Sequence, residues 1–233
     1  MLYGFQKTTL LDFPDTPAAL VFTGGCPFRC PWCHNGSLVQ PHPSQSAVAE
    51  ADVLDHLKKR QGILEGLVVS GGEPLMHPGL SDFLKQVKAL GYRIKLDTCG
   101  YWPERLEALL RDGLADYVAM DVKNCPDRYA ETCGLSTIDI TRIRTSLDIV
   151  RGLGNAGELR TTVSTRFHDK TSIEAMLDWI GTAERVILQP YRYSENQLQN
   201  EDFGTPDSAE LKEWIAPWRE VGAVQELRIR GFE

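Results

Sequence analysis

The sequence predicts an α/β protein built from repeated strand–helix units. Short apolar runs alternate along the chain with amphipathic segments of about 10 residues that have helical spacing. Several of the apolar runs stop at a Gly pair or at an Asp, as strands do where they enter a turn. This alternation favours parallel βαβ units, and at least six of them fit the chain. The pattern fits an open doubly wound sheet and a barrel alike.

The first half of the chain supplies four predicted strands and three predicted helices. The run at 18–23 is closed by Gly24-Gly25, and the run at 67–70 is closed by Gly71-Gly72. Pro103 suits the first turn of the third helix. The predicted elements are strands at 18–23, 67–70, 92–97 and 116–122 and helices at 52–60, 80–90 and 103–111.

The second half continues the same alternation. A Gly-rich stretch, 152–157, separates a long helix from the next strand. Thr205-Pro206 stands just before the last helix. The predicted elements are helices at 138–151, 172–180 and 207–221 and strands at 159–164, 185–189 and 226–230.

Length and composition indicate one ordinary globular domain. The 233 residues are expected to form a single domain, with a core at about 17–192 and a C-terminal helix and strand within 205–233. The net charge is −7 and no block of Lys and Arg occurs, which argues against nucleic-acid binding. No apolar stretch approaches the roughly 20 residues that a bilayer requires. Since Met1 to Thr9 also lack a signal-peptide pattern, we expect a cytoplasmic protein without membrane contact.

The strongest chemical signal is a cluster of three cysteines after the first predicted strand. Cys26, Cys30 and Cys33 follow the pattern Cys-x3-Cys-x2-Cys. Three thiolates can hold three irons of a [4Fe–4S] cluster and leave the fourth iron open to a ligand. A structural zinc site usually takes four ligands in two spaced pairs, so it fits less well, although Cys99, Cys125 or Cys133 could complete one through the fold.

Polar or metal-binding residues also follow the later predicted strands. In parallel α/β folds the carboxyl ends of the strands meet at one edge, where reactive groups gather. The residues that lie on or just after these strands are Gly71-Gly72-Glu73-Pro74, Asp97-Thr98, Asp121 with Lys123, Arg160, and Gln189 to Arg192.

The cysteine motif, with Trp32 just before Cys33, resembles the signature of the radical S-adenosylmethionine superfamily. The resemblance extends from Phe5 to Arg192 and implies a partial (β/α)6 barrel. It also implies that the open iron binds the amino and carboxylate groups of S-adenosylmethionine, with Trp32 beside the adenine.

Further motifs resemble those of glycyl radical enzyme activases. Gly71 to Pro74 is similar to the motif that binds the cofactor's ammonium group, and the Asp97-Thr98 and Asp121-x-Lys123 stretches are similar to motifs near its methionine and ribose ends. A monovalent cation near the two aspartates is a further implication. Arg160 becomes a candidate partner of the cofactor carboxylate. The chain departs from the activase pattern at two positions, with Cys99 in place of Asn and Arg192 where many activases carry His.

Asp12 falls where activases carry a segment near the substrate, so we also consider it a candidate substrate residue. The implied reaction starts with an electron from flavodoxin or ferredoxin. Reductive cleavage of S-adenosylmethionine then gives a 5′-deoxyadenosyl radical, which takes hydrogen from a glycine of a partner enzyme. The resemblance is closest to activating proteins of anaerobic ribonucleoside-triphosphate reductase. The alternatives are a radical enzyme acting on a small molecule, such as a deazaguanine synthase, and a non-catalytic zinc-binding module.

Overall fold

The structure, a computed structural model, describes residues 2–230. The end of the predicted C-terminal region, 231–233, lies outside the described residues. The strands are β1 Leu2–Thr9, β2 Ala18–Thr23, β3 Gly66–Gly71, β4 Arg93–Thr98, β5 Tyr117–Asp121, β6 Gly157–Val163, β7 Ala183–Pro190 and β8 Val224–Ile229. The helices are α1 Gly36–Val39, α2 Glu50–Lys59, α3 Leu80–Ala89, α4 Pro103–Arg111, α5 Pro126–Thr132, α6 Ile140–Arg151, α7 Lys170–Ile180 and α8 Ser208–Val221.

The chain divides into two compact units. Within the described residues, the first unit comprises 2–27 and 37–119, and the second comprises 28–36 and 120–230. The prediction of a single domain remains a prediction. The boundary at 119 falls inside β5, and the boundaries at 27 and 36 cut out the short segment that carries Cys30 and Cys33.

In the first unit, β2, β3 and β4 are parallel neighbours. Ala18 of β2 pairs with Gly66 of β3, which in turn pairs with Arg93 of β4. The strand β1 pairs with β2 in the antiparallel direction, and its last residue, Thr9, lies opposite Ala18. The carboxyl ends of the three parallel strands therefore share one edge, while the end of β1 lies at the opposite edge.

Burial explains why these segments form strands. All but the last two residues of β3 are buried, so it reads as a nearly continuous apolar run, whereas in β4 the buried Ile94 and Leu96 alternate with charged residues. The helix α3 covers this layer with one apolar face that includes Phe83, Leu84 and Val87.

In the second unit, β6, β7 and β8 form a second parallel set. Leu159 pairs with Val186, which pairs with Leu227. The end of β5 lies beside β6, because the Val122 N–H donates to the carbonyl of Arg160. The helix α7 begins with a capping box in which Asp169 and Ser172 satisfy each other's backbone N–H groups.

All seven predicted strands and all six predicted helices are confirmed, with ends shifted by a few residues. The sequence analysis missed β1, α1 and α5. The strand β1 carries an exposed polar stretch, Gln6 to Thr8, that hides its alternation. The helices α1 and α5 have only 4 and 7 residues, too few for a helical period to be recognised. Among residues 2–230, no helix combines the length and the apolarity that a membrane-crossing helix needs.

Candidate active site

The three motif cysteines lie in the loop after β2, and this loop crosses the boundary between the units. Cys26 belongs to the first unit, whereas Cys30 and Cys33 belong to the second. Each unit therefore carries its own part of the predicted site. All six cysteines, each within residues 2–230, are thiols rather than disulfides.

In the first unit, backbone contacts fix the residues just before and at Cys26. The Gly25 and Cys26 N–H groups donate to the carbonyls of Leu38 and Val39, at 2.8 and 3.1 Å. The Glu73 N–H donates to the Gly25 carbonyl at 2.7 Å. A Cβ at Gly72 would overlap that same carbonyl oxygen. Gly72 is thus required for the turn after β3 to approach the cysteine loop.

The Glu73 side chain is fully buried and is held by neutral donors. One oxygen, Oε1, accepts from the Leu75 N–H at 3.0 Å and from the Thr98 hydroxyl at 2.7 Å. The other, Oε2, accepts from the Cys99 N–H at 2.6 Å. Burial raises the pKa of Glu73, although these donors and the Cys99 thiol oppose the shift. Glu73 therefore ties the turn after β3, where buried Pro74 opens a short 3₁₀ turn, to the end of β4.

The predicted activase stretch at the end of β4 becomes part of this tie. Thr98 links Glu73 to Gly100, because its hydroxyl donates to Glu73 and accepts from the Gly100 N–H at 3.0 Å. Cys99, which stands where activases carry Asn, is 7% exposed. Burial, with repulsion from Glu73 and Cys26, raises the pKa of Cys99 well above its ordinary value. Cys99 is therefore held as a neutral thiol near Cys26.

Asp97 has a cationic neighbour that the sequence analysis missed. Nζ of Lys95 lies 3.7 Å from Oδ1 of Asp97, and Lys95 is 3% exposed. Buried lysines are rare unless a carboxylate pairs with them. The alternation of 92–97 puts Lys95 on the charged face with Asp97, so nothing in the sequence indicated its burial. Lys95 also donates to the carbonyl of Asp12 at 2.6 Å.

The substrate role considered for Asp12 stays a prediction. Its carboxylate accepts from the hydroxyl of Thr9, which pairs with Ala18 at the start of β2. The Lys95 Nζ that meets the Asp12 carbonyl also lies 3.7 Å from Asp97, so Asp12 lies near one of the predicted cofactor residues.

In the second unit, the segment with Cys30 and Cys33 is anchored at several backbone positions. The Cys33 N–H donates to the Cys30 carbonyl at 3.0 Å, which closes a turn. The carbonyls of Pro31 and Cys33 accept from Gln199 and Leu198, at 2.9 and 3.1 Å. The Arg29 N–H donates to the Cys133 carbonyl at 2.8 Å. The turn is thus supported both by the segment after β7 and by the end of α5.

Trp32 lies in an aromatic cluster. Its ring centroid is 4.7 Å from that of Phe167 and 6.2 Å from that of Phe203, and the residue is 4% exposed. Little of the indole surface therefore remains for a ligand. The predicted position of Trp32 beside an adenine stays a prediction.

Asp121, Lys123 and Arg160 form an ion-pair network between the end of β5 and the middle of β6. The two Asp121 oxygens lie 3.0 Å from Nζ of Lys123 and 3.0 Å from Nε of Arg160. Burial alone would raise the pKa of Asp121, but the two cations lower it to about 2. Ion pairing with Asp121 also raises the pKa of Lys123 well above its ordinary value, against the effect of burial. Both basic side chains therefore stay charged.

The charge of Lys123 reaches the cysteine turn. A hydrogen bond from the Cys133 thiol, opposed by burial and assisted by Lys123, lowers the pKa of Cys30. Burial and repulsion from Cys30 raise the pKa of Cys33. Cys30 is therefore the more readily ionised thiol of the two. Cys133 carried no sequence signal, because it stands alone and about 100 residues beyond the motif.

Arg192 and His168 make backbone contacts within the second unit. Arg192 is exposed, and its backbone carbonyl, rather than its side chain, interacts with Nε2 of His34 at 2.9 Å. His168, for which the sequence offered no partner, is buried with Nε2 2.9 Å from the Lys123 carbonyl, and burial lowers its pKa to about 4. A neutral His168 thus supports the backbone at Lys123.

The expectation of a monovalent cation near the two aspartates is not supported. Asp97 is paired with Lys95, and Asp121 is paired with Lys123 and Arg160. Cationic side chains within each unit already neutralise these carboxylates, so a further cation would meet repulsion.

The donor set suits an iron–sulfur cluster. The loop offers three thiols, one of which has a lowered pKa and a lysine nearby, as a thiolate ligand requires. Within residues 2–230, no three Cys, His, Asp or Glu side chains are grouped as ligands of a single metal ion. A cubane cluster makes a different demand, because each of its thiolates binds a separate iron.

Comparison with known proteins identifies the family. The Radical SAM superfamily profile matches residues 20–180. A protein of Methanocaldococcus jannaschii, named provisionally as a glycyl-radical enzyme activating enzyme, is 28% identical over 91% of this chain and 89% of its own. Pyruvate formate-lyase-activating enzyme of Listeria monocytogenes is 31% identical over 74% of each chain. The 7-carboxy-7-deazaguanine synthase of Neisseria meningitidis is 30% identical over 58% of this chain and 57% of its own.

A solved structure agrees at the level of the fold. Streptococcus suis SuiB bound to S-adenosylmethionine superposes with a TM-score of 0.64 at 12% identity, over 91% of this chain and 52% of that one. The chain thus spans about half the length of SuiB, and the likeness confirms the predicted α/β fold of the radical SAM type. Membership of this superfamily implies a [4Fe–4S] cluster and S-adenosylmethionine as cofactors. With its profile matched over residues 20–180, the chain belongs to the Radical SAM superfamily.

Proposed function

We propose that this protein activates a glycyl radical enzyme, by cleaving S-adenosylmethionine reductively to a 5′-deoxyadenosyl radical that removes a hydrogen from a glycine of that enzyme. The observation that carries the proposal is the Cys26, Cys30 and Cys33 triplet in a loop whose backbone is anchored beside each cysteine. The relatives named as activating enzymes favour this reaction over others of the superfamily.

In this proposal the three cysteines hold the cluster and leave one iron open for the amino and carboxylate groups of S-adenosylmethionine. The cofactors supply electron transfer and radical generation, and the protein supplies position and charge. Lys123 stabilises the thiolate form of Cys30. The Glu73 tie keeps the turn after β3 against the Gly25 carbonyl and so positions Cys26.

The cofactor-binding roles remain proposals. The chain segment Gly71 to Pro74 is proposed to meet the cofactor's ammonium group with backbone groups, since the Glu73 carboxylate is occupied by Leu75, Thr98 and Cys99. Arg160 is proposed to bind the cofactor carboxylate, because a guanidinium group pairs well with carboxylates. The remaining proposed contacts are Trp32, Asp97, Thr98, Asp121, Lys123 and Arg192.

The proposed partner is anaerobic ribonucleoside-triphosphate reductase, and the proposed electron donor is flavodoxin or ferredoxin. The sequence between Cys33 and Gly71 is too short for the two-cluster insert of some other activases, which supports a short activase. The Listeria relative makes pyruvate formate-lyase the second partner to be tested.

The first experiment is anaerobic reconstitution of the cluster, followed by reduction with dithionite and an assay for 5′-deoxyadenosine. We expect about four irons and four sulfides per wild-type chain and release of 5′-deoxyadenosine from S-adenosylmethionine. Cys26→Ala, Cys30→Ala and Cys33→Ala should each lose the product. Cys125→Ala, which removes a buried thiol outside the motif, is the matched control and should retain it.

Three results would refute the cluster assignment: a full cluster in Cys30→Ala, bound zinc without iron in the wild type, or product formation that is independent of all three cysteines. Partner choice needs a second assay. The activated protein is mixed anaerobically with each glycyl radical enzyme, and the glycyl radical is measured by electron paramagnetic resonance. If 5′-deoxyadenosine forms but no glycyl radical signal appears with either enzyme, both partners are excluded.

A second candidate function is radical chemistry on a small molecule. It is favoured by the identity with the Neisseria deazaguanine synthase. The discriminating test asks whether the reduced enzyme, with S-adenosylmethionine and the substrate of that synthase, forms 7-carboxy-7-deazaguanine. Product formation would replace the activase proposal with this one.

A further inference from the structure

A shelf of three partly exposed side chains, Phe22, Ser70 and Asp97, lies at the carboxyl edge of the first unit. Phe22 of β2 pairs with Ser70 of β3. Val69 pairs with Leu96, so the next residues of these two strands, Ser70 and Asp97, are also neighbours. One residue each of β2, β3 and β4 therefore stands in the same row.

The shelf is the open rim of a face that is buried below it. Two residues earlier on each strand, and hence on the same face, the row Leu20, Val68 and Lys95 is 5%, 0% and 3% exposed. Phe22 packs against the buried cluster that contains Leu20 and Val68, so its ring lies on that face. In each strand, the first partly exposed residue after the buried stretch is the one on the shelf.

Phe22 and Ser70 give the shelf an apolar and a polar contact. Phe22 lies opposite Gly4 of β1, where a Cβ would come within 2.9 Å of the ring, so the ring lies over that glycine. The Thr23 hydroxyl donates to the Ser70 carbonyl at 3.2 Å, whereas no group within residues 2–230 pairs with the Ser70 hydroxyl. Ser70 therefore offers one donor and two acceptor lone pairs.

We propose that Phe22 and Ser70 bind the polypeptide of the partner enzyme at the glycine that loses its hydrogen. The inference rests on the proposed function, in which Asp97 and the turn 71–74 contact the cofactor. Ser70 directly precedes this turn and adjoins Asp97, so a group bound on the shelf lies beside the cofactor. The Ser70 hydroxyl hydrogen-bonds a backbone amide of the peptide, and the Phe22 ring packs against the glycine Cα, where a side chain would meet the ring.

The spacing and the charge of the shelf suit a peptide backbone. Consecutive Cα atoms are about 3.8 Å apart and neighbouring strands about 4.8 Å apart. Ser70 and Phe22, on adjacent strands, can therefore meet an amide group and the Cα beside it together. The shelf has no cationic member, and Lys95 beneath it lies 3.7 Å from Asp97, so a neutral backbone fits better than a carboxylated or phosphorylated small molecule.

The first unit also supplies matched controls. Phe5 is partly buried on the other face of β1 and β2, where its ring packs edge-on against that of His56 at a centroid distance of 5.3 Å. Ser81 is a partly buried serine of α3, outside the shelf. Phe5→Leu and Ser81→Ala therefore make the same chemical changes as Phe22→Leu and Ser70→Ala without altering the shelf.

The test is anaerobic peptide binding to the cluster-loaded protein with S-adenosylmethionine and no reductant, so that the cofactor stays intact. The probe is a short fluorescent peptide that spans the radical glycine of anaerobic ribonucleoside-triphosphate reductase, or of pyruvate formate-lyase if that is the enzyme activated. A second probe has alanine in place of the glycine. Fluorescence anisotropy measures peptide binding, and equilibrium dialysis measures binding of S-adenosylmethionine.

Ser70→Ala should weaken binding of the glycine peptide about threefold to tenfold, the effect of one lost hydrogen bond, and by more than it weakens cofactor binding. The wild type should prefer the glycine peptide to the alanine peptide by about tenfold or more, since the added methyl group meets the Phe22 ring. Phe22→Leu should reduce this preference to about threefold or less. Phe5→Leu and Ser81→Ala should stay within about twofold of wild type.

Equal binding of the glycine peptide by Ser70→Ala and wild type, or no preference of the wild type for glycine, would overturn the inference. An equal loss of peptide and cofactor binding in Ser70→Ala would also overturn it, because the hydroxyl would then serve the cofactor. So would a wild-type protein that activates a partner but binds neither peptide. If Phe22→Leu does not fold by circular dichroism, the serine variant decides alone. Failure of the proposed function gives a different result, because the wild type would then form no glycyl radical in either partner enzyme.

Discussion

In each unit, a glycine lies against a backbone carbonyl of the cysteine loop. In the first unit, Gly72 lies against the carbonyl of Gly25, the residue before Cys26. In the second unit, Gly134 lies against the carbonyl of Arg29, the residue before Cys30. In both, a backbone hydrogen bond of 2.7 to 2.8 Å accompanies the close approach.

The carboxylates of the two units are stabilised in opposite ways. Glu73, in the first unit, is fully buried and accepts from two backbone N–H groups, a hydroxyl and a thiol, all neutral. Asp121, in the second unit, is paired with Lys123 and Arg160. Burial raises the pKa of Glu73, whereas the two cations lower the pKa of Asp121 to about 2.

The two carboxylates therefore have different effects on the cysteines nearby. Neutral donors fix Glu73 without adding positive charge beside Cys26 and Cys99. The cations around Asp121 hold it and also favour the ionised form of Cys30. We therefore expect changes in the first unit to act mainly on stability and changes in the second unit to act mainly on the chemistry of the cysteines.

The largest expected effect comes from filling the glycine contacts. Gly72→Ala and Gly134→Ala should each lower the free energy of unfolding by about 3 kcal/mol or more, because the new Cβ meets backbone atoms that cannot move aside easily. Urea unfolding of the cluster-free protein, followed by circular dichroism, measures the loss.

Gly62→Ala provides the control for these variants. Its φ is +78°, but nothing lies within 4 Å of an added Cβ, so only the left-handed conformation is penalised, by about 1–2 kcal/mol. If Gly72→Ala cost no more than Gly62→Ala, the close approach to the Gly25 carbonyl would be incorrect.

Glu73→Gln should be the next most damaging change. Whichever way the amide is oriented, its NH₂ group faces a backbone N–H, of Leu75 or of Cys99, that loses its acceptor. The loss of stability should be about 2–4 kcal/mol by urea unfolding. Glu107→Gln, an exposed change in the same unit, should stay within about 0.5 kcal/mol. Equal stability of the two variants would contradict the buried tie.

The sequence predicted the local features of this site better than the contacts between distant segments. The strand ends, the Gly71-Gly72 turn and the cysteine spacing are local patterns, and the strands that carry them were all predicted. The contact of Cys133 and Gly134 with the cysteine turn was not predicted, because the end of a seven-residue helix approaches that turn only through the tertiary fold. No periodicity or spacing encodes such a contact.

Direction and charge pairing were the other features that the sequence could not specify. The sequence did not predict β1, whose antiparallel pairing with β2 leads the chain into the segment that carries Asp12. The cation expected near the aspartates is not supported, because these carboxylates are paired with Lys95 and Arg160, whose side chains could equally have faced solvent on an isolated strand. Both outcomes depend on which neighbours a strand acquires after folding.

Asp121→Asn should cost less stability than Glu73→Gln. About 36% of the Asp121 side chain is exposed, so solvent screens both ion pairs, and the asparagine oxygen still accepts one hydrogen bond. We expect a loss of about 1 kcal/mol by urea unfolding at pH 7. Asp127→Asn, at an exposed position of α5, is the control. A loss above about 3 kcal/mol would mean that the network behaves as a buried ion pair instead.

The smallest expected effect is the pH dependence of the stability lost in Asp121→Asn and in Glu73→Gln, measured in the cluster-free protein. It distinguishes the two carboxylates most clearly, because the two dependences should have opposite signs. Asp121 has a folded pKa of about 2, below the ordinary 3.8, so it contributes stability above pH 3.8 that is lost as the pH falls toward 2. The cost of Asp121→Asn should therefore grow as the pH rises through that window. Glu73 has a raised folded pKa, so ionisation removes stability as the pH rises from 4.5 through the folded value. The cost of Glu73→Gln should shrink as the pH rises.

Urea unfolding of both variants and the wild type at a series of pH values measures the two slopes. Because each slope is a difference from wild type, carboxylates that titrate alike in all three proteins cancel. Opposite signs would establish that one carboxylate is held by neutral donors and the other by cations. Slopes of the same sign would mean that Lys123 and Arg160 do not govern Asp121, and the charge that we assign to the cysteine turn would lose its source.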